Sequence, residues 1–366
     1  MKNLFISLLF TFSGFLINAQ NPYNFEKLDS LVNIIVSNEM AMGSISIFSN
    51  GDEVYQRSIG YSDLEKNSEA NATTKYRIGS ITKTFTAVVI MQLIEEGKLE
   101  KDTSLKDFFP EIPNSDKITI RHLLRHQSGL FNVTDDKDFR TWMMKPQSRE
   151  AMLERFIKNG TLFEPAEKSS YSNTNYLLLS YIAEEIELMN YAEIVKDRII
   201  DKLNLQSTFY GGKINPEDNQ ARSYVKSENE WEVTPETDMS VPMGAGALVS
   251  TPKDLNTFYY NLFEGNLVSP GSLEAMKTPK DGMGIGLMKL PLNDVEVYGH
   301  GGGIDGFSSI AVHLPGEQIT VAYIANASDY PMKNLFVGVI KILLGQEYEL
   351  PDLSPAKMLE SAELDN

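Results

Sequence analysis

The chain has 366 residues, 42% of them hydrophobic, and no cysteine. That is enough apolar material for one large core or two intimately joined ones; it excludes a small binding module and any chemistry that needs a disulfide, a thiolate metal ligand or an acylated cysteine. A formal net charge of −17 argues against nucleic acid or an anionic membrane surface as a partner, since both need a basic face.

Met1-Lys2-Asn3, an apolar run from Leu4 to Ile17 and the small-residue end Asn18-Ala19-Gln20 read as a secretory leader cleaved after Ala19. The run is interrupted by Ser7, Thr11, Ser13 and Gly14 and is shorter than the roughly 20 apolar residues of a membrane span. A periplasmic or secreted location is therefore expected, with no membrane span once the leader is removed. Phe25 to Val36 then has helical periodicity, with Leu28, Leu31, Val32 and Ile35 on one side. Ser44 to Ser49 alternates with Ile45 and Ile47 inward, Asn50-Gly51 signals a type I′ turn, and Val54 to Ile59 returns as the second strand of a hairpin.

A helix follows Ser80, with a stripe of Phe85, Val88, Val89 and Leu93 that closes at Gly97. From Leu99 to about Ser207 the pattern is mostly helical, broken by Pro110, Pro113, Pro146 and Pro165. Strand signals return at Ala247 to Ser250, Val295 to Tyr298, Ser309 to Leu314 and Ile319 to Ala325, before a last apolar helix from Leu335 to Leu344. Strands at both ends with helices between them predict an α+β fold, an α/β sandwich whose antiparallel sheet is built from both chain ends and flanked by helices. The expected divisions are a leader over 1–19, a domain over 20–350 and a solvated tail over 351–366. Within the domain, 23–98 and 230–347 build the sheet and 99–229 form a mostly helical insertion.

Ser80-Ile81-Thr82-Lys83 sets a hydroxyl and an amine one helical turn apart, on one face of the helix. A lysine there can take the serine proton if burial and the positive helix end keep it neutral, and the helix N-terminus offers free N–H groups for an oxyanion. Alone, the same four residues also describe an N-cap serine followed by a solvated lysine. Tyr171-Ser172-Asn173 stands just before a leucine-rich helical run, where a phenol can share a proton with a lysine and an amide can donate and accept. His300-Gly301-Gly302-Gly303 follows a strand, and its glycines permit close approach of a backbone or ligand. His122 and His126 have i, i+4 spacing without a third ligand, so no metal site is expected there.

The ordered set Ser80-x-x-Lys83, Tyr171-x-Asn173 and His300-x-Gly302 resembles the serine β-lactamase and penicillin-binding superfamily, in its class C β-lactamase and D,D-carboxypeptidase-like branch. Ile118-Thr119-Ile120-Arg121-His122-Leu123-Leu124, Ser128-Gly129-Leu130, Phe163-x-Pro165, Gly244 to Thr251 and Gly299-His300-x-Gly302-x-x-x-Gly306-Phe307 extend the likeness from about Phe25 to Gly345. The resemblance implies that Ser80 is acylated, that Lys83 and Tyr171 form the general acid/base pair, and that Asn173 holds the acyl-side amide of the substrate. It further implies that His300, Gly301 and Gly302 line the opposite wall, that Ser80 and Gly303 supply the oxyanion N–H groups, and that no cofactor is required. Deacylation in this branch is usually given to the tyrosine rather than to a separate glutamate.

Three departures bear on the substrate. Gly301 stands where carboxypeptidases commonly carry a hydroxyl, His300 where the lactamases of this branch usually carry lysine, and Ala166 where a turn glycine is common. The implied substrate is an ester or amide, a peptide with D-residues or a small ester, with cell-wall peptide among the partners. Carboxypeptidase or weak lactamase activity and a catalytically silent β-lactam or cell-wall sensor are the alternatives. Specificity is expected in the loops Phe131 to Gln147 and Gly211 to Trp231.

Overall fold

A computed structural model describes residues 23–292 and 295–353. The expected leader and most of the expected tail lie outside the described residues. Helix α1 (Phe25–Ser37) is capped by Asn24, whose side chain accepts from the Lys27 N–H, and it buries Leu28, Leu31, Val32 and Ile35 as the periodicity predicts. Strands β1 (Ala41–Ser49) and β2 (Asp52–Ile59) form the expected hairpin. Its loop residues Asn50 and Gly51 take φ of 51° and 86°, as a type I′ turn requires.

The remaining principal elements are α2 (Thr82–Glu95), α3 (Asn173–Glu187), α4 (Pro252–Phe263), β3 (Met288–Leu292), β4 (Val295–Ile304), β5 (Phe307–Leu314), β6 (Ile319–Ser328) and α5 (Met332–Leu343). The strands form one antiparallel sheet in the order β3-β4-β5-β6-β1-β2, so the first and last parts of the chain pair directly, as β1 with β6. The α+β expectation of a sheet closed by both ends of the chain holds.

On one face, α1 and α5 pack Leu31, Ile35, Phe336 and Val339 against Ile45, Ile47, Val321 and Tyr323. The opposite face carries Ala311, Ala322 and Ile324 in the core that includes α2 and α4, where the Phe85 and Phe258 rings stack with centroids 3.7 Å apart. Burying one such ring contributes about 2–3 kcal/mol.

Two sequence expectations need correction. The alternation in β1 suggests one buried face, yet Ser44 and Ser46 are buried too, on the side away from Ile45 and Ile47. They escape the polar penalty by bonding: Ser44 Oγ lies 2.8 Å from the Tyr76 hydroxyl, and Ser46 Oγ accepts from Asn256 at 3.1 Å. Helix α2 is buried as its apolar run suggests, but not along the stripe of Phe85, Val88, Val89 and Leu93 alone: Thr82 to Leu93 is buried all round because the helix runs between the sheet side and the helical region.

Between 99 and 207 the named elements are helical, chiefly Ile120–Leu124, Arg149–Asn159, α3 and Tyr191–Val195. A hairpin of Tyr224–Ser227 and Glu230–Val233, which the sequence pattern does not announce, spans the 229/230 border drawn between insertion and sheet. Strand β4 is also longer than its apolar signal. It continues from Tyr298 through His300 and the three glycines to Ile304, because pairing with β5 compensates their poor strand propensity.

Candidate active site

Ser80 lies in a single 3₁₀ turn, Gly79–Ile81, that runs directly into α2. Gly79 has φ of +50°, and a Cβ on it would stand 2.8 Å from the Gly303 nitrogen. Glycine is therefore required twice over, by conformation and by the approach of β4. Gly302 is bound in the same way: a Cβ there would meet the Ile78 oxygen at 2.1 Å. The two segments touch backbone to backbone, which brings Ser80 beside Gly303.

The register of β4 aims its edge. Ile304 and Phe307 flank the two-residue turn, and Gly303 pairs with Ser308 one step further on. Antiparallel pairs alternate between bonded and unbonded, so the N–H of Gly303 points away from β5. The far neighbour β3 ends its pairing at Gly299, which leaves the edge from His300 to Ile304 open to the Ser80 turn. The N–H groups of Ser80 and Gly303 thus border one site.

Lys83 is completely buried, and its Nζ lies 2.9 Å from Ser80 Oγ, 2.7 Å from Asn173 Oδ1 and 2.7 Å from the Ala245 carbonyl oxygen. Burial holds the amine well below the usual lysine range. Tyr171 donates its hydroxyl to Ser80 Oγ at 2.8 Å. Burial pushes this phenol up to about 12, although its bond to Ser80 acts the other way.

Tyr171 is held from behind by His126, whose ring stacks on it at 4.5 Å. His126 Nδ1 accepts from the Ser172 N–H at 3.1 Å and faces Asn175 Nδ2 at 3.2 Å, so the second-motif loop is anchored to this imidazole. Burial, and then the nearby Lys83, holds His126 well below the ordinary histidine range. His122 goes elsewhere, its Nδ1 accepting from the Thr119 N–H as part of a capping box. His300 is also buried and lowered to about 4, first by desolvation and then by Lys83; its ring lies 6.4 Å from that of Tyr171. Gly301 has no side chain to offer the cleft, and its backbone lies on the open edge of β4.

Asn173, the first residue of α3, is committed in a way the sequence does not reveal. Its Oδ1 accepts from Lys83, while its Nδ2 donates to Asn132 Oδ1 and Thr134 Oγ1, each at 3.1 Å. An amide expected to hold substrate first holds the lysine. Asn132, Thr134, His126 and the Ala245 carbonyl are members of the site that the motifs did not single out. Their positions in Ser128-Gly129-Leu130 and Gly244 to Thr251 neighbourhoods were the available signal.

Ser80, Asn173 and Gly303 open onto a cavity of about 590 Å³, lined chiefly by Phe139, Met143, Leu177, Val241, Pro242 and Ile304. The expected loop Phe131 to Gln147 supplies much of this lining, whereas Gly211 to Trp231 supplies Val225 alone. Tyr171 and His300 are not among its walls. Ser80 therefore has a mostly apolar chamber on one side and a hydrogen-bonded aromatic wall on the other.

A model of the Beta-lactamase family matches residues 35–336. The chain belongs to that family. Among its relatives is Penicillin-binding protein 4* of Bacillus subtilis (strain 168), 28% identical over 342 residues, which are 85% of this chain and 74% of that protein. Teichoic acid D-alanine hydrolase of Staphylococcus aureus is 27% identical over 253 residues, 69% of this chain and 61% of the relative, so this match leaves over a third of the relative unmatched. A solved D-stereospecific amidohydrolase from Streptomyces sp. superposes with a TM-score of 0.76 at 28% identity, over 88% of this chain and 99% of that one. The family match and the fold agree with the resemblance read from the sequence.

Proposed function

We propose that the protein is an exported serine hydrolase that acylates Ser80 and cleaves an ester or amide, a peptide with D-residues or a small ester. The observation that carries this reading is the buried Lys83 amine 2.9 Å from Ser80 Oγ. A neutral amine has two N–H bonds, and the Asn173 and Ala245 oxygens accept both, which leaves its lone pair facing the serine hydroxyl. The Ser80 proton passes to Lys83 as Oγ bonds to the carbonyl carbon, and the carbonyl electron pair moves onto oxygen beside the Ser80 and Gly303 N–H groups. Tyr171 then gives its proton to the leaving group and regains one from the Lys83 ammonium. Water reverses these transfers, releasing the acid and restoring the Ser80 hydroxyl.

This sequence assigns Lys83 as the base and Tyr171 as the relay. A phenol pushed up to about 12 is protonated at neutral pH when the cycle starts, so it passes a proton on only as it receives another, and Lys83 is the group that first takes the Ser80 proton. The leaving group lies on the Tyr171 and His300 side, so the apolar chamber receives the acyl group. A neutral His300 beside Gly301 offers no cation or hydroxyl to a terminal carboxylate, which favours esters and amides over D,D-carboxypeptidase or β-lactam substrates. The names of the two hydrolase relatives, a teichoic acid D-alanine hydrolase and a D-stereospecific amidohydrolase, support a D-configured acyl group and a cell-wall-derived substrate. Periplasmic or secreted location rests on the leader in residues 1–19.

The test is a panel of p-nitrophenyl esters, D-amino-acid amides, D-Ala-D-Ala peptides and nitrocefin, run on the native protein and Ser80→Ala with fluorescent phosphonate labelling. Labelling of Ser80 and a loss of about 10⁴-fold or more in Ser80→Ala are expected. Turnover that survives Ser80→Ala, or no label from any probe, would overturn the reading. A sensor would acylate and stay acylated; the hydrolase recovers.

A further inference from the structure

Three residues before Ser80 stands Arg77, and two residues after Gly303 stands Asp305. Their side chains meet at 2.6 Å and are 2% and 0% exposed. The contact is part of a larger knot. Asp305 Oδ1 accepts from the Thr237 N–H at 2.9 Å and from the Thr237 hydroxyl at 2.7 Å, while Arg77 donates to the carbonyl oxygens of Thr237 and Gly212 at 3.0 and 2.8 Å and to Glu236 at 3.2 Å. Asp305 also holds φ of 54°, a left-handed conformation that glycine takes more readily.

Net stability alone does not account for this arrangement. Desolvating both charges cancels much of the attraction within a buried ion pair, and a glycine at 305 would relieve the backbone. The placement accounts for it better. Arg77 lies on the segment that delivers Ser80, Asp305 on the turn that ends the strand carrying Gly303, and those segments touch where Gly79 faces Gly303.

We infer that Arg77 and Asp305 are positioning residues whose buried pair sets the spacing of the Ser80 and Gly303 N–H groups around the carbonyl oxygen. The inference rests on the hydrolase reading above. The pair touches neither the nucleophile nor Lys83, so its effect falls on the oxyanion rather than on proton transfer. Thr237 and Asp305 both line the chamber, so the same knot fixes one of its walls.

The experiment compares an oxo-ester with the thiono-ester of the same acyl group, because a thiocarbonyl sulfur accepts hydrogen bonds poorly and gains little from the two N–H groups. In folded Asp305→Asn, kcat for the oxo-ester is expected to fall about 10- to 100-fold, with KM changed by less than about threefold. The thiono rate should change by less than about threefold, so that the oxo-to-thiono ratio contracts about tenfold. Arg77→Lys keeps the cation but loses the fork geometry; a contraction of about threefold is expected. A folded variant that slows both esters equally, or neither, overturns the inference, as does failure of both variants to fold, since the pair would then be structural. A native enzyme without Ser80-dependent turnover would instead sink the parent reading.

Discussion

The two sides of Ser80 differ in kind. The chamber proposed for the acyl group is mostly apolar, with Phe139, Met143 and Leu177 offering volume, though Thr134 and Arg140 also line it. The opposite wall of His126, Tyr171 and His300 offers no comparable volume but is stacked and hydrogen bonded, and burial keeps its imidazoles neutral. On the proposed function the chamber would select by shape, whereas the wall would set where protons reside. A substitution on one side should therefore change which substrate is used, and on the other how fast and at what pH it is used.

The largest test of that division is Lys83→Met, which keeps an unbranched apolar side chain but removes the base. Acylation is expected to fall about 10³-fold or more for every acyl chain length alike, measured by burst kinetics with two esters. A loss confined to bulky acyl groups would break the comparison. Acid should act on the wall next. His300 is lowered to about 4 from an ordinary 6.5, and His126 moves the same way, so the unfolded chain takes up protons that the folded wall refuses. Stability should thus be undiminished above about 6.5 and fall as pH drops toward 4, by up to about 3 kcal/mol for His300. Thermal melts across that range should show the slope, reduced in His300→Gln and unchanged in Phe139→Ala.

Phe139→Ala sharpens the other side. It should lower kcat/KM for a bulky aromatic ester about tenfold while changing an acetyl ester by less than about twofold. The smallest expected effect lies in the loop leading to Tyr171, where Ala166 holds φ of 68° and donates its N–H to the Gln127 oxygen. Ala166→Gly should raise stability by about 0.5–1 kcal/mol in urea titrations, with activity unchanged.

What the sequence reveals follows how local its causes are. The Asn50-Gly51 turn, the stripe of α1 and the Ser80 to Lys83 spacing are written in neighbouring residues, and each reappears at its place. The strand through His300 to Ile304 is not, because glycines carry no strand signal and β5 imposes the conformation. The Met288–Leu292 strand is hidden similarly, with Pro291 in a strand at the sheet edge, where a missing N–H is tolerated. His126 invites comparison with His122 four residues away, yet its partners are Tyr171, Ser172 and Asn175 across the fold. Arg77 and Asp305 are 228 positions apart, and no periodicity links them.

The complete burial of Lys83 makes dryness itself a reagent. On the proposed mechanism the amine is a base only while water is kept from it, so the packing above it would act as a pH setting as well as a scaffold. Any change that lets water reach Nζ, even one that leaves every distance in the cleft intact, would restore its charge and silence the serine. The tolerance of this protein to substitution around Ala245 and Asn173 is then governed less by shape than by how wet the replacement leaves the interior.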